Sequence, residues 1–274
     1  MKRLAIYAHF DAERKVRRFT RHYLKALAEH TSRIDFVSTT DLGQAELDKL
    51  EPYCETRVNR PNRGFDFGMW QWALEQHDLN EWDELVLTNS SVYGPLIPLS
   101  GLFATMAESD CDFWGATDNY EMDWHIQSYF IVVRKPILQS DIFKRFWETV
   151  LPYRNKFQVI RSYEVGFSQL LAESGFKGEA HLPLASLFPA WPADMLIRYK
   201  RRNPTCYHPV RLLRRGTPFV KVQLLRDNPI GVPLAPVYRE LDRCGFDRSL
   251  IEFDRPATPQ RNLLQRFDDL IHSR

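Results

Sequence analysis

With 274 residues, 44% of them hydrophobic and 26% charged, and a net charge of +2, the chain is neither disordered nor a fibrous repeat. Its length suits one catalytic α/β domain with a C-terminal extension. Cys54, Cys111, Cys206 and Cys244 are far apart and form no C-x-x-C pair, which argues against a zinc site or a disulfide framework and for reduced thiols in a cytosol. The N-terminus turns charged at Asp11, and no run approaches the roughly 18 apolar residues of a membrane span, so we expect a chain neither exported nor membrane-spanning.

The first 135 residues alternate short apolar runs with amphipathic stretches, the pattern of βαβ units and a mostly parallel sheet. Residues 4–9 form the first expected strand. A helix over 12–29 follows, with Val16, Phe19, Tyr23, Leu24 and Leu27 at helical spacing. Strands are expected at 34–38 and, more weakly, 53–58, then a helix over 66–76 with Phe67, Trp70 and Leu74 on one face. The apolar run at 84–88 reads as a central strand, so Asn89, Ser90 and Ser91 fall where ligands bind in open α/β sheets. A helix over 98–107, strands over 112–116 and 128–133, and helices over 143–150 and 165–173 complete the pattern. Beyond Pro183 prolines interrupt helical periodicity, which divides the chain into a catalytic domain, 1–182, and an irregular extension, 183–274. Between Leu196 and Arg226 stand nine Lys or Arg and no Asp or Glu, a candidate surface for phosphates or an anionic membrane, or simply a solvated face. No helix-turn-helix or zinc-finger pattern points to nucleic acid.

Four clusters could carry chemistry. In RPNRGFDFGMW, Arg60 and Arg63 suit phosphate, Gly64 permits close backbone approach alongside Asn62, and Asp66 can accept hydroxyl hydrogens or merely cap the helix. The D-F-G tripeptide there has no H-R-D or V-A-I-K partner and is no kinase signal. In LVLTNSSVYGPL, Asn89, Ser90 and Ser91 can bond a diphosphate or ribose but are poor sole ligands for a divalent cation. In DFWGATDN and HIQSYF, Trp114 could stack on a sugar or pack in the core, while Asp118, His125 and Gln127 could fix sugar or acceptor hydroxyls. In SYEVGFSQLL, Glu164 heads the expected helix, where the dipole would help it act as general base beside Tyr163, or where it serves the helix end alone. His9 and Asp11, closing the first strand, join the donor-binding candidates.

Taken in order, R-x-N-x-G-x-D-F-G, N-S-S-x-Y-G-P-L, D-F-W-G-x-T, Q-S-Y-F and Y-E-V-G resemble the rhamnan synthesis protein F family of polysaccharide-building transferases, over roughly residues 1 to 230. Asn203, Pro204, Thr205, Gly216, Pro218, Phe219, Lys221, Leu225, Arg226 and Pro229 resemble the family's tail. The resemblance implies a GT-A-like α/β fold, with a mostly parallel central sheet flanked by helices, that binds a nucleotide-sugar donor. Such folds carry an acidic D-x-D after the central strand. Asn89-Ser90-Ser91 stands there instead and leaves magnesium or manganese open. Either Arg60, Arg63, Lys221 or Arg226 neutralises the diphosphate, or Asp66 or Asp118 supplies the carboxylate, with Ser91 and His208 as further metal ligands. By analogy with inverting members of the fold, Glu164 in YEVGFS would deprotonate the acceptor. The resemblance further implies rhamnose from dTDP-rhamnose, a lipid-linked glycan acceptor of O-antigen or lipopolysaccharide type, and a cytoplasmic enzyme in peripheral contact with the membrane. The alternatives are a catalytically silent glycan-binding or scaffold subunit, and a sugar-phosphate nucleotidyltransferase. The latter is disfavoured because no glycine-rich loop follows the first strand, where IYAHFD stands.

Overall fold

The computed structural model describes residues 1–188 and 203–252. Strands β1 (Arg3–His9), β2 (Arg33–Ser38), β3 (Thr56–Asn59), β4 (Glu84–Asn89), β6 (Phe113–Asn119), β7 (His125–Ile126), β8 (Phe130–Arg134) and β9 (Gly178–Leu182) make one sheet in the order β3-β2-β1-β4-β8-β6-β7, with β9 paired to β6. β1, β2, β3, β4, β6 and β9 run in one direction. β7 and β8 run against them. The class is therefore the expected one, α/β with a mostly parallel sheet. β8 departs from the parallel pattern, which its apolar run could not reveal, because a strand buried on both faces reads the same in either direction.

Alternation along β1 shows how the sheet is covered. Leu4, Ile6 and Ala8 face one core with α3 (Phe65–Leu74), α5 (Lys135–Leu138), α6 (Asp141–Glu148) and α8 (Gly166–Glu173). Ala5 and Tyr7 face the other, with α1 (Arg18–Ala28), α2 (Gln44–Asp48) and α4 (Leu99–Ala107). The helix expected from residue 12 starts only at Arg18. The Asp11 carboxylate instead accepts from the backbone N–H of Glu13 and Lys15, and Arg14 takes a left-handed φ of 58°, so 11–17 is a turn. Ser140 caps α6 by accepting from the Phe143 N–H, which starts that helix two residues before the expected position.

The turn before α3 depends on two glycines. Gly64 and Phe65 both have positive φ, and at Gly68 a Cβ would lie 1.8 Å from the Arg63 carbonyl oxygen. Gly68→Ala should destabilise the fold by about 1–3 kcal/mol, because backbone must move to admit the methyl. Urea unfolding measures this, and an unchanged midpoint would show that the turn relaxes freely.

Residues 203–252 add short helices at Pro204–Tyr207, Pro209–Arg214 and Val222–Arg226, and a longer one at Leu234–Arg243. The two-residue strand β10 (Val220–Lys221) pairs antiparallel with β5 (Val92–Tyr93), directly after β4. Leu213, Leu224, Val237 and Leu241 share a core with Phe19 and Tyr93, so this segment is packed onto α1 and β5. Arg198, Lys200, Arg201 and Arg202 of the basic stretch lie outside the described residues. No helix among the described residues is long and apolar enough to cross a membrane.

Candidate functional site

The two ends of the sheet differ in how their charges are used. At the amino end, buried Glu84 is paired with Arg3 and Arg134, at 2.5 and 3.2 Å. A cleft of about 420 Å³ opens at that same end, beside Gln71, His77, Ser140 and Trp147, and none of the residues expected to carry chemistry lines it. At the carboxyl end, by contrast, ionisable groups converge with their polar atoms only partly used.

Asn89, the last residue of β4, is the hub there. Its Nδ2 donates to Asp66 Oδ2 at 2.8 Å and, at 3.5 Å, to the Ser128 carbonyl. Its Oδ1 accepts from the backbone N–H and the hydroxyl of Ser91, at 3.1 and 2.6 Å. Asp66, in the first turn of α3, thus turns its carboxylate to Asn89 across the sheet edge. Burial, with Glu164 nearby, pushes its pKa up to about 6 against the pull of Lys156, Lys221 and the Asn89 hydrogen bond.

Glu164 enters from the opposite side. α7 (Lys156–Val159), a π-helical stretch (Ile160–Val165) and α8 follow one another without a break. Glu164 therefore lies inside a continuous helical run and not at the helix start expected from the sequence, so the N-terminus of its own helix does not face it. What positions it is the π stretch, whose wider turn is frequent at functional sites. Its Oε1 accepts from the Ser128 N–H at 2.9 Å, and no donor to Oε2 occurs among the described residues. Asp66, Asn89, Ser128 and Glu164 form one connected chain.

Lys221 closes the group. β10 brings its Nζ to 3.4 Å from Ser91 Oγ and 4.5 Å from the centre of the Tyr129 ring. Burial lowers its pKa, opposed by Glu164 and Asp66. The ring beneath it is fixed in turn: the Tyr129 and Thr117 hydroxyls share a 2.8 Å hydrogen bond, Thr117 donates to Gln127 Oε1, and Gln127 Nε2 donates to Asn203 Oδ1.

The family described as rhamnan synthesis protein F matches residues 34–251, most of the chain and all of the cluster just described. The chain belongs to that family. It is 27% identical over 203 residues to virulence protein VirA of Vibrio anguillarum, across 66% of this chain and 65% of that one, so it spans slightly under two thirds of that relative's length. It is 25% identical over 181 residues to the uncharacterized protein y4gN of Sinorhizobium fredii, across 64% of this chain and 45% of that protein. The glycosyltransferase GlyE of Streptococcus pneumoniae TIGR4 overlays with a TM-score of 0.47 at 14% identity, covering 98% of this chain and 64% of GlyE. An overlay at that level adds nothing to the family assignment.

In this rhamnan synthesis protein F member several expected site residues serve the fold instead. Trp114 is 1% exposed and packs between Phe103 and Phe130, so no sugar can stack on it. Asp118 accepts from the Trp124 indole and the Leu184 N–H with its two oxygens, and His125 is buried with Nδ1 against the Asp123 carbonyl. The Tyr163 hydroxyl both accepts from and donates to the Leu151 backbone, which spends it on anchoring that loop. Gln127 is buried in the network under Lys221 and holds that network in place. His9, buried on Phe36 and bonded to Ser38, has its pKa lowered to about 4 by burial, so it is neutral there. Asp11 is paired with Arg17 at 2.6 Å. The Ser90 hydroxyl ties the Phe10 backbone to the end of β4. Arg60 lies over the Trp72 ring, and Arg226 pairs with Asp227 at 2.9 Å. Asn62 and Arg63 are exposed beside Gly64. Lys156 and Tyr129 are invisible in the sequence, since neither a lone surface lysine nor a tyrosine opening a buried strand carries a signal of its own.

A divalent cation fits these residues poorly. Among the described residues no group of three or more His, Cys, Asp or Glu is placed to hold one. Asp66 Oδ2 and the Ser91 hydroxyl are already bonded to Asn89, and His208 packs on Phe188. The Lys221 ammonium already stands beside Ser91, where it would repel a metal ion.

Proposed function

We propose that the chain is a glycosyltransferase that moves a sugar from a nucleotide donor onto a growing surface polysaccharide, with rhamnose from dTDP-rhamnose as the favoured donor and inversion at the anomeric carbon. The observation that carries the reading is the chain Asp66–Asn89–Ser128–Glu164, which holds two carboxylates beside the Lys221 ammonium at the carboxyl end of β4. Ligands of open α/β sheets bind at that end. Family membership supports the sugar chemistry, and a mostly parallel sheet with helices on both faces is in keeping with a GT-A-like donor-binding domain over 1–182. The extension, 183–274, supplies Lys221 to it.

Each group has a part in the reaction. Asp66 accepts from hydroxyls of the donor, and Asn89 holds its carboxylate in place. Glu164 takes the proton of the acceptor hydroxyl on Oε2. The acceptor oxygen bonds to the anomeric carbon as the bond from that carbon to the β-phosphate oxygen breaks, and its electron pair leaves with the nucleoside diphosphate. A lipid-linked glycan at the cytoplasmic membrane face is the acceptor in this reading. Screening the protein for thermal stabilisation with dTDP-rhamnose and other nucleotide sugars tests it, because a specific donor raises the melting temperature by mass action. Stabilisation by a donor followed by its hydrolysis or transfer is the expected result. Glycan binding with no donor effect and no turnover would instead make the protein a scaffold subunit.

A further inference from the structure

We infer that Lys221, and no divalent cation, carries the charge of the donor diphosphate in this site. The inference rests on the glycosyl-transfer reading and deepens it.

Four observations support it. First, the ammonium is underused: one hydrogen bond of 3.4 Å to Ser91 and the face of Tyr129 are its close contacts, and among the described residues no carboxylate lies within ion-pair distance. An ammonium has three donors, so two remain for phosphate oxygens. Second, it is held rigidly. Val220 and Lys221 pair with Tyr93 and Val92, the Val222 N–H donates to the Ser91 carbonyl at 2.9 Å, and the Leu96 N–H donates to the Pro218 carbonyl at 2.8 Å. Phe219 is wedged among Tyr23, Tyr129 and Phe130. A preorganised cation at the point where charge develops lowers a barrier more than one that must be gathered. Third, of the other cations proposed from the sequence, Arg226 is paired with Asp227, Arg63 lies on the surface, and Arg60 rests on Trp72 and the Gly68 carbonyl, outside the group formed by Asp66, Asn89, Ser91 and Glu164. Fourth, the residues where a metal-binding carboxylate pair would stand are neutral, and one of them is the serine that Lys221 touches.

When the glycosidic bond breaks, the β-phosphate oxygen keeps the bonding pair and gains a negative charge. Lys221 donates a hydrogen bond to it and keeps its proton, while the acceptor's proton rests on Glu164. Burial lowers the Lys221 pKa, and Glu164 and Asp66 nearby oppose that fall.

Isothermal titration calorimetry with dTDP, UDP and GDP, each in EDTA and in magnesium or manganese, tests this with the wild type, Lys221→Met and Lys221→Arg. One diphosphate is expected to bind the wild type equally well in chelator. Lys221→Met should weaken it by about 10- to 100-fold while leaving affinity for the matching nucleoside unchanged, as for loss of a charge-assisted hydrogen bond. Lys221→Arg should retain most of the affinity, and should binding fail in a misfolded Lys221→Met, the arginine variant and the wild type in chelator still decide. Binding that requires metal, or a folded Lys221→Met that keeps its preference for diphosphate over nucleoside, overturns the inference and leaves the transferase reading intact. Binding of no diphosphate under either condition removes both.

Discussion

Glu164→Gln is expected to lower the turnover of sugar transfer by about 100- to 10,000-fold, the range for loss of a general base, while donor affinity stays within a few-fold. The substitution is close to isosteric, and the glutamine carbonyl can still accept from the Ser128 N–H that holds Oε1 at 2.9 Å, so the helical run and the connection to Asn89 should persist. What disappears is a carboxylate oxygen able to take a proton. A second signature follows from the electrostatics: Glu164 is one of the groups that raise the Asp66 pKa, so the variant should titrate Asp66 at lower pH. Single-turnover kinetics with saturating donor separate the chemical step from binding. Wild-type turnover would take Glu164 out of the mechanism and leave it as a strut for Ser128.

Asp66→Asn should weaken donor binding by about 10- to 100-fold, the worth of a charge-assisted hydrogen bond to a donor hydroxyl. Its effect on stability should have the opposite sign. The folded-state pKa of Asp66, about 6, lies above the ordinary 3.8, so the native state holds a proton that the unfolded chain has released. Stability from this group is fully present below the ordinary value and is lost as pH rises through about 6. Above pH 6 the uncharged variant escapes that loss and should be more stable than wild type, on the order of 1 kcal/mol once solvent screening is allowed for. Near pH 4 the two should converge. Urea unfolding at both pH values and donor titration check the pair of effects. Wild-type donor affinity together with lower stability at neutral pH would make Asp66 a structural carboxylate.

A trade of stability for function at Asp66 fits the contrast between the two ends of the sheet. Glu84 at the amino end has two arginines and nothing left to bind. At the carboxyl end the excess of unused donors and acceptors is what a ligand would complete.

Periodicity and composition were enough for the α/β class and the central strands, because apolar runs such as LVLT and the spacing in α1 reflect burial that acts locally along the chain. The ordered motifs carried the family. Asn89 was legible as a polar residue after a buried strand and Asp66 as a carboxylate at a helix start, whereas Glu164 was legible as a residue type and not by its place, since it lies inside a helical run. Tertiary structure alone decided which of the remaining candidates reach one another. Trp114, Asp118 and Tyr163 have the same side chains whether they face a ligand or the core, and only packing shows that each is already engaged. Strands of two residues, such as β5 and β10, leave no periodic trace, yet their pairing carries Lys221 across 130 residues of sequence to Ser91. The π stretch that aims Glu164 was hidden for the same reason: a register of hydrogen bonds is set by what the helix packs against and leaves no pattern in the residues themselves.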